Sequence, residues 1–329
     1  MTLKLSICIP TYNRARLLGE TLDGIIAQVV GLGQAGDGVE IAVSDNASPD
    51  DTEAVVRARQ ARFSRLTYFR QPENRGADRN YLQSVALARG EWCWLLGDDD
   101  PLEDDAVSTL LGYLNGPRPL DFVQLLVTAY DFDLKHVLQR SADVLGVTGD
   151  IYTTDVPGFF AHFFQESYLS EFVIRRDRWN AVDPEPYVGT GLTYLGITYE
   201  YLQADSPVLV VARPLIKYRS QNVSWMGSAL EIILTHQRRV MDLLPARYDG
   251  VKEAAYAAYS TRTPVTLKML CFLRAEGGYD ANLYGRLLVP YFRGRPLHTA
   301  AARLIAHAPR PAMSLVRRAY KRLKAARHG

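Results

Sequence analysis

Trp92-Cys93-Trp94-Leu95-Leu96-Gly97-Asp98-Asp99-Asp100 is an apolar run of strand length that ends abruptly in three consecutive carboxylates. Gathering such charges at a buried strand end raises their pKa values and opposes folding unless a cation compensates them. An open strand end facing a metal is the economical explanation, so this stretch, Asp98 and Asp99 above all, is a candidate for a metal site that holds phosphates. Helix formation alone would also explain Asp100. Asp100-Pro101-Leu102-Glu103 offers an N-cap, a proline at the first helical position and a Glu placed to close a capping box. Capping leaves Asp98 and Asp99 unexplained.

The segments upstream of this stretch alternate in type. Residues 3–9 read as a buried strand, 16–28 as a helix with apolar spacing at Leu17, Leu18, Leu22, Ile25 and Ile26, and 39–43 as a second strand. A glycine-rich loop separates the last two at 31–38. A helix to about residue 63, a third strand at 66–69 and a helix at 81–88 complete a βαβαβ alternation that delivers the acidic strand. Such alternation predicts an α/β fold, a mostly parallel sheet flanked by helices, with ligands at the carboxyl ends of the strands. The polar clusters fall at those ends: Pro10-Thr11-Tyr12-Asn13-Arg14, then Asp45-Asn46-Ala47-Ser48, then residues 74–80 with Arg75 and Asn80. A dinucleotide oxidoreductase lacks its signature, because no GxGxxG follows the first strand and no P-loop occurs. Phosphates would have to be held by a cation and arginines.

With 329 residues, 47% of them hydrophobic, the chain can bury a large domain and an appendage. Three cysteines, Cys8, Cys93 and Cys271, lie far apart without a CxxC pair and fit a reducing compartment. No export signal opens the sequence and no run approaches about 18 apolar residues, so a cytoplasmic protein without a membrane span is expected. The net charge of +2 hides an asymmetry, since residues 281–329 contain Arg and Lys but no Asp or Glu. Residues 314–327 read as a basic amphipathic helix suited to an anionic membrane surface. Nucleic acid is not expected as a partner, because the basic residues are confined to the tail while the cleft is acidic.

Four motifs in order, residues 6–14, 44–48, 73–76 with Asn80, and 97–100, resemble glycosyltransferase family 2, inverting nucleotide-sugar enzymes with the GT-A fold. The form Trp94-Leu95-Leu96-Gly97-Asp98-Asp99-Asp100 is similar to the abequosyltransferase-like branch, which adds deoxyhexoses to bacterial surface polysaccharides. The resemblance implies a GT-A domain over residues 1–225, with a nucleotide-binding half at 1–115 and an acceptor-side half at 116–225, followed by a helical region at 226–329. It further implies that Pro10, Thr11, Tyr12 and Arg14 line the nucleoside pocket with Asp45 and Asn46 near base or ribose. Arg75 and Asn80 would neighbour the nucleotide, and Asp99, assisted by Asp98 or Asp100, would hold Mg²⁺ or Mn²⁺ on the diphosphate. The donor would be a nucleotide diphosphate sugar and the acceptor a saccharide or lipid-linked saccharide at the inner face of the cell membrane.

The sequence departs from the family pattern in two places. Gly97 stands where the family usually has the first aspartate of Asp-x-Asp-Asp. The carboxylate that takes the acceptor's proton usually sits downstream at a helix start, and the matching stretch, residues 187–194, has no acid. Glu166, Glu171, Glu185 and Glu200 are the nearest alternatives, with Glu171 preferred as base because it precedes a strand at 172–174. A polar loop near 220–225 closes over the diphosphate in the family, a part that falls here to Asn222, Ser224 and Trp225. The aromatic residues of 159–164 are read as core. Two other readings stay open: a noncatalytic nucleotide- or glycan-binding scaffold, and a sugar-nucleotide nucleotidyltransferase.

Overall fold

The computed structural model describes residues 3–220 and 227–325. The first part runs β1 (Leu5–Thr11), α1 (Ala15–Gly31), β2 (Val39–Asp45), α2 (Thr52–Gln60), β3 (Leu66–Arg70), α3 (Ala77–Ala86), β4 (Trp92–Leu95) and α4 (Ala106–Leu114). It continues through β5 (Phe122–Gln124), β6 (Val127–Tyr130), β7 (Val137–Arg140), α5 (Ser141–Leu145), β8 (Ile151–Thr153) and α6 (Val156–Phe163). β9 (Phe172–Arg175), α7 (Arg176–Asn180), α8 (Thr193–Tyr201), β10 (Val208–Val210) and β11 (Ile216–Arg219) follow. An eight-stranded sheet has the order β3-β2-β1-β4-β9-β5-β10-β8, and a three-stranded sheet the order β11-β6-β7.

Strands β3, β2, β1 and β4 are mutually parallel, whereas β9 is antiparallel to both β4 and β5. Every residue of β1, β2 and β4 is buried, as expected for strands covered on both faces. Leu18, Leu22 and Ile25 of α1 pack with Ile7, Ile41, Val43 and Trp94 in one core. Burial of such side chains contributes about 1.5–3 kcal/mol each. The parallel register places Thr11 beside Asp45, and Cys8 beside Leu95 one turn before the acidic residues. The alternation therefore brings three polar strand ends to one edge of the sheet.

Three elements differ from the sequence-based expectation. The helix after the acidic residues begins at Ala106, not at Pro101, because Leu102 bridges to Ile216 and Glu103 N donates to Leu215 O, tying 101–103 to the small sheet. Helix α3 begins at Ala77, since Gly76, at φ +83°, turns the chain sharply enough for a helix to start directly after the loop. The apolar run 122–127, which reads from sequence as a single strand, divides between the two sheets.

The chain forms two compact units, Met1–Asn222 with Val240–Ala255, and Val223–Arg239 with Tyr256–Gly329. Residues 240–255 join the first because Tyr248 packs against Phe160 and Tyr199, with centroids 4.6 and 6.0 Å apart. The helical part comprises α9 (Ala229–Glu231), a π-turn (Ile232–His236), α10 (Gln237–Leu243), α11 (Lys252–Arg262), α12 (Leu267–Glu276) and α13 (Ala281–Leu283). A second π-turn (Tyr284–Leu288), α14 (Val289–Tyr291), α15 (Pro296–His307) and α16 (Arg310–Ala325) complete it. Residues 251–274 read from sequence as one helical stretch, which is broken at Pro264, as a proline lacking its N–H requires. Leu270, Leu273, Tyr279, Leu288, Phe292 and Ala302 form the core of the second unit.

Candidate active site

The acidic turn after β4 is pinned from four directions. Thr11 Oγ1 donates to Asp98 Oδ2 at 2.6 Å, and Thr21 Oγ1 donates to the Asp98 carbonyl at 3.1 Å. Arg14 Nη1 lies 3.2 Å from Asp98 Oδ1 and 2.8 Å from Asp99 Oδ2, so one guanidinium bridges two carboxylates. Asp100 faces the other way: its Oδ2 accepts from Ser170 Oγ at 2.6 Å and its Oδ1 from the Arg219 amide at 3.3 Å. The Arg219 guanidinium donates to the Asp99 and Phe132 carbonyls and to Glu20 Oε2.

Burial pushes both Asp98 and Asp100 up to about 7, and the Asp99 charge adds to each. For Asp98 the Arg14 charge and the Thr11 and Arg14 hydrogen bonds oppose this rise. Arg14 is pulled toward a lower pKa by its own burial, but the two carboxylates outweigh this and raise it. Burial, with the Asp99 charge adding to it, thus disfavours the ionised forms of Asp98 and Asp100 at this turn.

The three aspartates do not gather round one point, and among the described residues no group of three metal-ligating side chains does. This corrects the expected ligand set of Asp98, Asp99 and Asp100. Consecutive residues leave a turn in different directions, and Asp100 is spent on Ser170 and the Arg219 amide. The remaining donors still suit Mg²⁺ or Mn²⁺, which commonly take one or two protein carboxylates and fill their other positions with substrate phosphates and water.

The second polar strand end is a closed hydrogen-bond network. Asp45 is buried, accepting from the Ser48 amide at 2.9 Å and from Tyr68 O–H at 2.7 Å, and the carboxylate behind burial raises the Tyr68 pKa further. Asn46 Nδ2 donates to Asn74 Oδ1, and its Oδ1 accepts from the Arg75 amide, both at 2.9 Å. Asn80 Oδ1 accepts from Ser44 Oγ at 2.7 Å and its Nδ2 donates to Thr11 O at 3.1 Å, tying α3 to β1 and β2. Pro10 is buried in β1, whereas Tyr12 is exposed and the Arg75 residue is at the surface. Asn46 and Asn80 therefore hold loops in place, while Tyr12 and Arg75 keep exposed side chains. Asn222, Ser224 and Trp225 lie outside the described residues.

Glu171 is not where an acceptor's proton could be collected. It is 0% exposed, its Oε2 accepting from the Tyr168 amide at 3.3 Å and Gln124 Nε2 at 3.4 Å, while Oε1 is buried without a partner. Burial, reinforced by the Glu166 charge, pushes its pKa well above the ordinary carboxylate range. The strand that follows is interior, so a residue at its start faces the core and no acceptor. Glu185 is exposed and paired with Arg79 at 2.7 and 2.8 Å.

The acid-free helix start at α8 has its carboxylate supplied from elsewhere. Asp78, buried in the first turn of α3, accepts from the amides of Gly189 and Gly191 at 2.8 Å each and of Thr193 at 3.1 Å. Gly189 and Gly191 adopt φ of +86° and +71°, which turns their amides toward one carboxylate. The first turn of α8 then places Tyr194 edge-on to Tyr81, with centroids 5.6 Å apart, and the Asp98 charge in turn raises the Tyr81 pKa behind burial and Asp78. Asp78, Ser170, Arg219, Thr21 and Glu20 were not legible as site residues, because each acts through partners distant in sequence.

A mostly parallel sheet whose strand ends carry an arginine-clamped acidic turn defines an α/β protein of the GT-A type. Residues 6–169 match Glycosyl transferase family 2. Over 247 residues the chain is 31% identical to the abequosyltransferase RfbV of Salmonella typhimurium, spanning 70% of this chain and 71% of that one. The chain belongs to glycosyl transferase family 2. It is also 37% identical over 113 residues to a GalNAc(5)-diNAcBac-PP-undecaprenol beta-1,3-glucosyltransferase of Campylobacter jejuni, a match to 34% of this chain and 35% of that one. In fold it resembles residues 1–349 of S. aureus TarS in complex with UDP-GlcNAc, with TM-score 0.60, 13% identity, and coverage of 92% and 90% of the two chains. The mannosyltransferase PcManGT of Pyrobaculum calidifontis in complex with GDP-Man and Mn²⁺ gives TM-score 0.51 at 19% identity, over 92% and 85%.

Proposed function

We propose that this family 2 glycosyltransferase is metal-dependent and inverting, and moves a sugar from a nucleotide diphosphate donor to a saccharide hydroxyl in bacterial surface polysaccharide synthesis. The observation that carries the proposal is the turn at Asp98 and Asp99, clamped by Arg14 at the carboxyl end of the parallel strands. The likeness to an abequosyltransferase supports a deoxyhexose as the sugar.

In this assignment Tyr12 and Thr11 border the nucleoside with Pro10 behind them, and Asp45, Asn46 and Asn80 fix the loops around it. Arg14 and Arg75 face the diphosphate, and Asp99, with Asp98 assisting, holds Mg²⁺ or Mn²⁺. The ion, when bound, neutralises charge developing on the departing nucleoside diphosphate. Arg14 adds a fixed cation at the same place without reorganisation during reaction. Asp100 acts through Ser170 and the Arg219 amide to keep the turn in position. Glu171 has no part in proton removal here, because its carboxyl is enclosed.

Among the described residues no helix is long and apolar enough to cross a membrane. We place the protein at the cytoplasmic face of an anionic membrane, where a lipid-linked saccharide would be presented, with α16 and its basic residues as one attachment. A panel of nucleotide diphosphate sugars incubated with Mn²⁺ and a saccharide acceptor tests the activity. Release of nucleoside diphosphate with one donor and an inverted anomeric centre in the product support it. Binding without turnover for every donor would instead favour a noncatalytic scaffold.

A further inference from the structure

The second unit carries a surface groove of about 990 Å³ that is lined by none of the candidate-site residues. It runs from Tyr284 to His307 and is walled by Phe292, Arg293, Arg295, Pro296, Arg303 and His307. Three features of it point to one ligand chemistry.

The first feature is charge. Arg293, Arg295 and Arg303 are exposed, none forms an ion pair among the described residues, and the sequence has no acid from Ala281 to Gly329 to neutralise them. Elsewhere in the unit arginines do find acids, as Arg286 does with Glu231 at 2.6 Å. The second is the face of α15. Ala302 and Ala306 point into the core, while Leu297 and Leu304, seven residues apart on the outer side, are 83% and 74% exposed. Two leucines left in water beside three unpaired guanidiniums form the pattern of a helix lying in a bilayer interface. The third is the helix start: Pro296 opens α15 inside the groove, so the positive end of a twelve-residue helix adds to the arginine charge.

We infer that this groove binds the phosphate of an anionic phospholipid, with Leu297 and Leu304 entering the acyl region and the arginines remaining at headgroup level. Arginine stems cover apolar surface while their guanidiniums stay at the polar layer, so one short segment serves both phases. The inference rests on the reading that the chain works at a membrane, but it places the contact in α15 and the preceding loop, separate from the basic residues of α16.

Full-length protein is partitioned onto vesicles of phosphatidylcholine alone and of phosphatidylcholine with phosphatidylglycerol. Three variants are compared with wild type: Arg293→Gln/Arg295→Gln/Arg303→Gln, Leu297→Ser/Leu304→Ser, and the tail variant Arg318→Gln/Lys321→Gln/Arg322→Gln/Lys324→Gln. Circular dichroism melts confirm folding, since the groove side chains replaced are exposed. The wild type is expected to prefer the anionic vesicles, and the arginine triple variant to lose on the order of a hundredfold in partition coefficient, about fivefold per basic residue. The leucine pair should lose binding while keeping its charge. Partitioning unchanged in both groove variants but abolished in the tail variant would overturn the groove and leave membrane attachment standing. No wild-type partitioning would overturn both. Calorimetric titration with inorganic phosphate separates the remaining source: arginine-dependent phosphate binding without vesicle binding would show that the groove takes a soluble anion and not a lipid.

Discussion

Removing the Asp78 carboxylate tests whether a residue on the nucleotide side of the sheet builds the start of α8. Asp78→Ala leaves three amides without an acceptor, those of Gly189, Gly191 and Thr193. A hydrogen bond to a charged group contributes about 1.5–3 kcal/mol, and a buried donor left unmade costs about 1–3 kcal/mol. Gly189 is exposed and Gly191 half-buried, so both can be rehydrated, whereas Thr193 is buried, and the sum is nearer one full loss and two partial ones. We expect about 3 kcal/mol of destabilisation, read as a fall in Tm of roughly 6–12 °C at about 2–4 °C per kcal/mol. Asp78→Asn keeps one acceptor oxygen and should fall between. Arg79→Gln removes only the exposed pair to Glu185 and should cost at most about 1 kcal/mol. With donor and acceptor supplied, Asp78→Asn should raise the acceptor KM more than the donor KM, because the α8 start that Asp78 holds falls where the family resemblance puts the residue facing the acceptor. An Asp78→Ala protein that melts within a degree of wild type would refute the capping role.

The pH dependence of the acidic turn follows from the direction of its shifts. Asp100 is raised to about 7 in the folded protein, so its contribution is most favourable below the unfolded carboxylate value and is lost as pH rises toward 7. Without added metal, Asp100→Asn should therefore gain stability relative to wild type between about pH 4 and pH 7, by a few kcal/mol at most, measured by urea melts across that range; a constant difference would contradict it. Glu171→Gln keeps a group of the same shape beside Gln124 and the Tyr168 amide while removing a carboxyl whose ionised form is disfavoured. It should be more stable than wild type at neutral pH and retain turnover within about threefold, whereas loss of a base typically costs about 10²- to 10⁴-fold. A collapse of turnover in a stable Glu171→Gln protein would restore that residue as the base.

The sheet was legible because β1, β2 and β4 are mostly apolar runs, interrupted only by Ser6 and Glu40, that end in polar residues, and neither feature depends on distant sequence. The site was only partly legible for the opposite reason. Local pattern assigned Asp100 to a helix start, but its partners are Ser170 and Arg219, 70 and 119 residues away. An isolated Glu before a strand reads equally well as facing a cleft or the core, and β9 lies between β4 and β5, which encloses Glu171. The α8 start seemed to lack a carboxylate because Asp78 reaches it across 111 to 115 positions. Pro264 was visible within 251–274 and marked a break that apolar periodicity alone passed over.

In the proposed mechanism Asp99, beside Arg14, holds a metal that binds the donor's diphosphate. Calorimetric titration of UDP, dTDP, CDP and GDP, with and without Mn²⁺, into wild type and Asp99→Ala tests it most directly. One diphosphate is expected to bind only with Mn²⁺, and Asp99→Ala to abolish this binding while its melt stays close to wild type. Equal binding with and without Mn²⁺, or an Asp99→Ala protein that keeps the metal-dependent affinity, would contradict it.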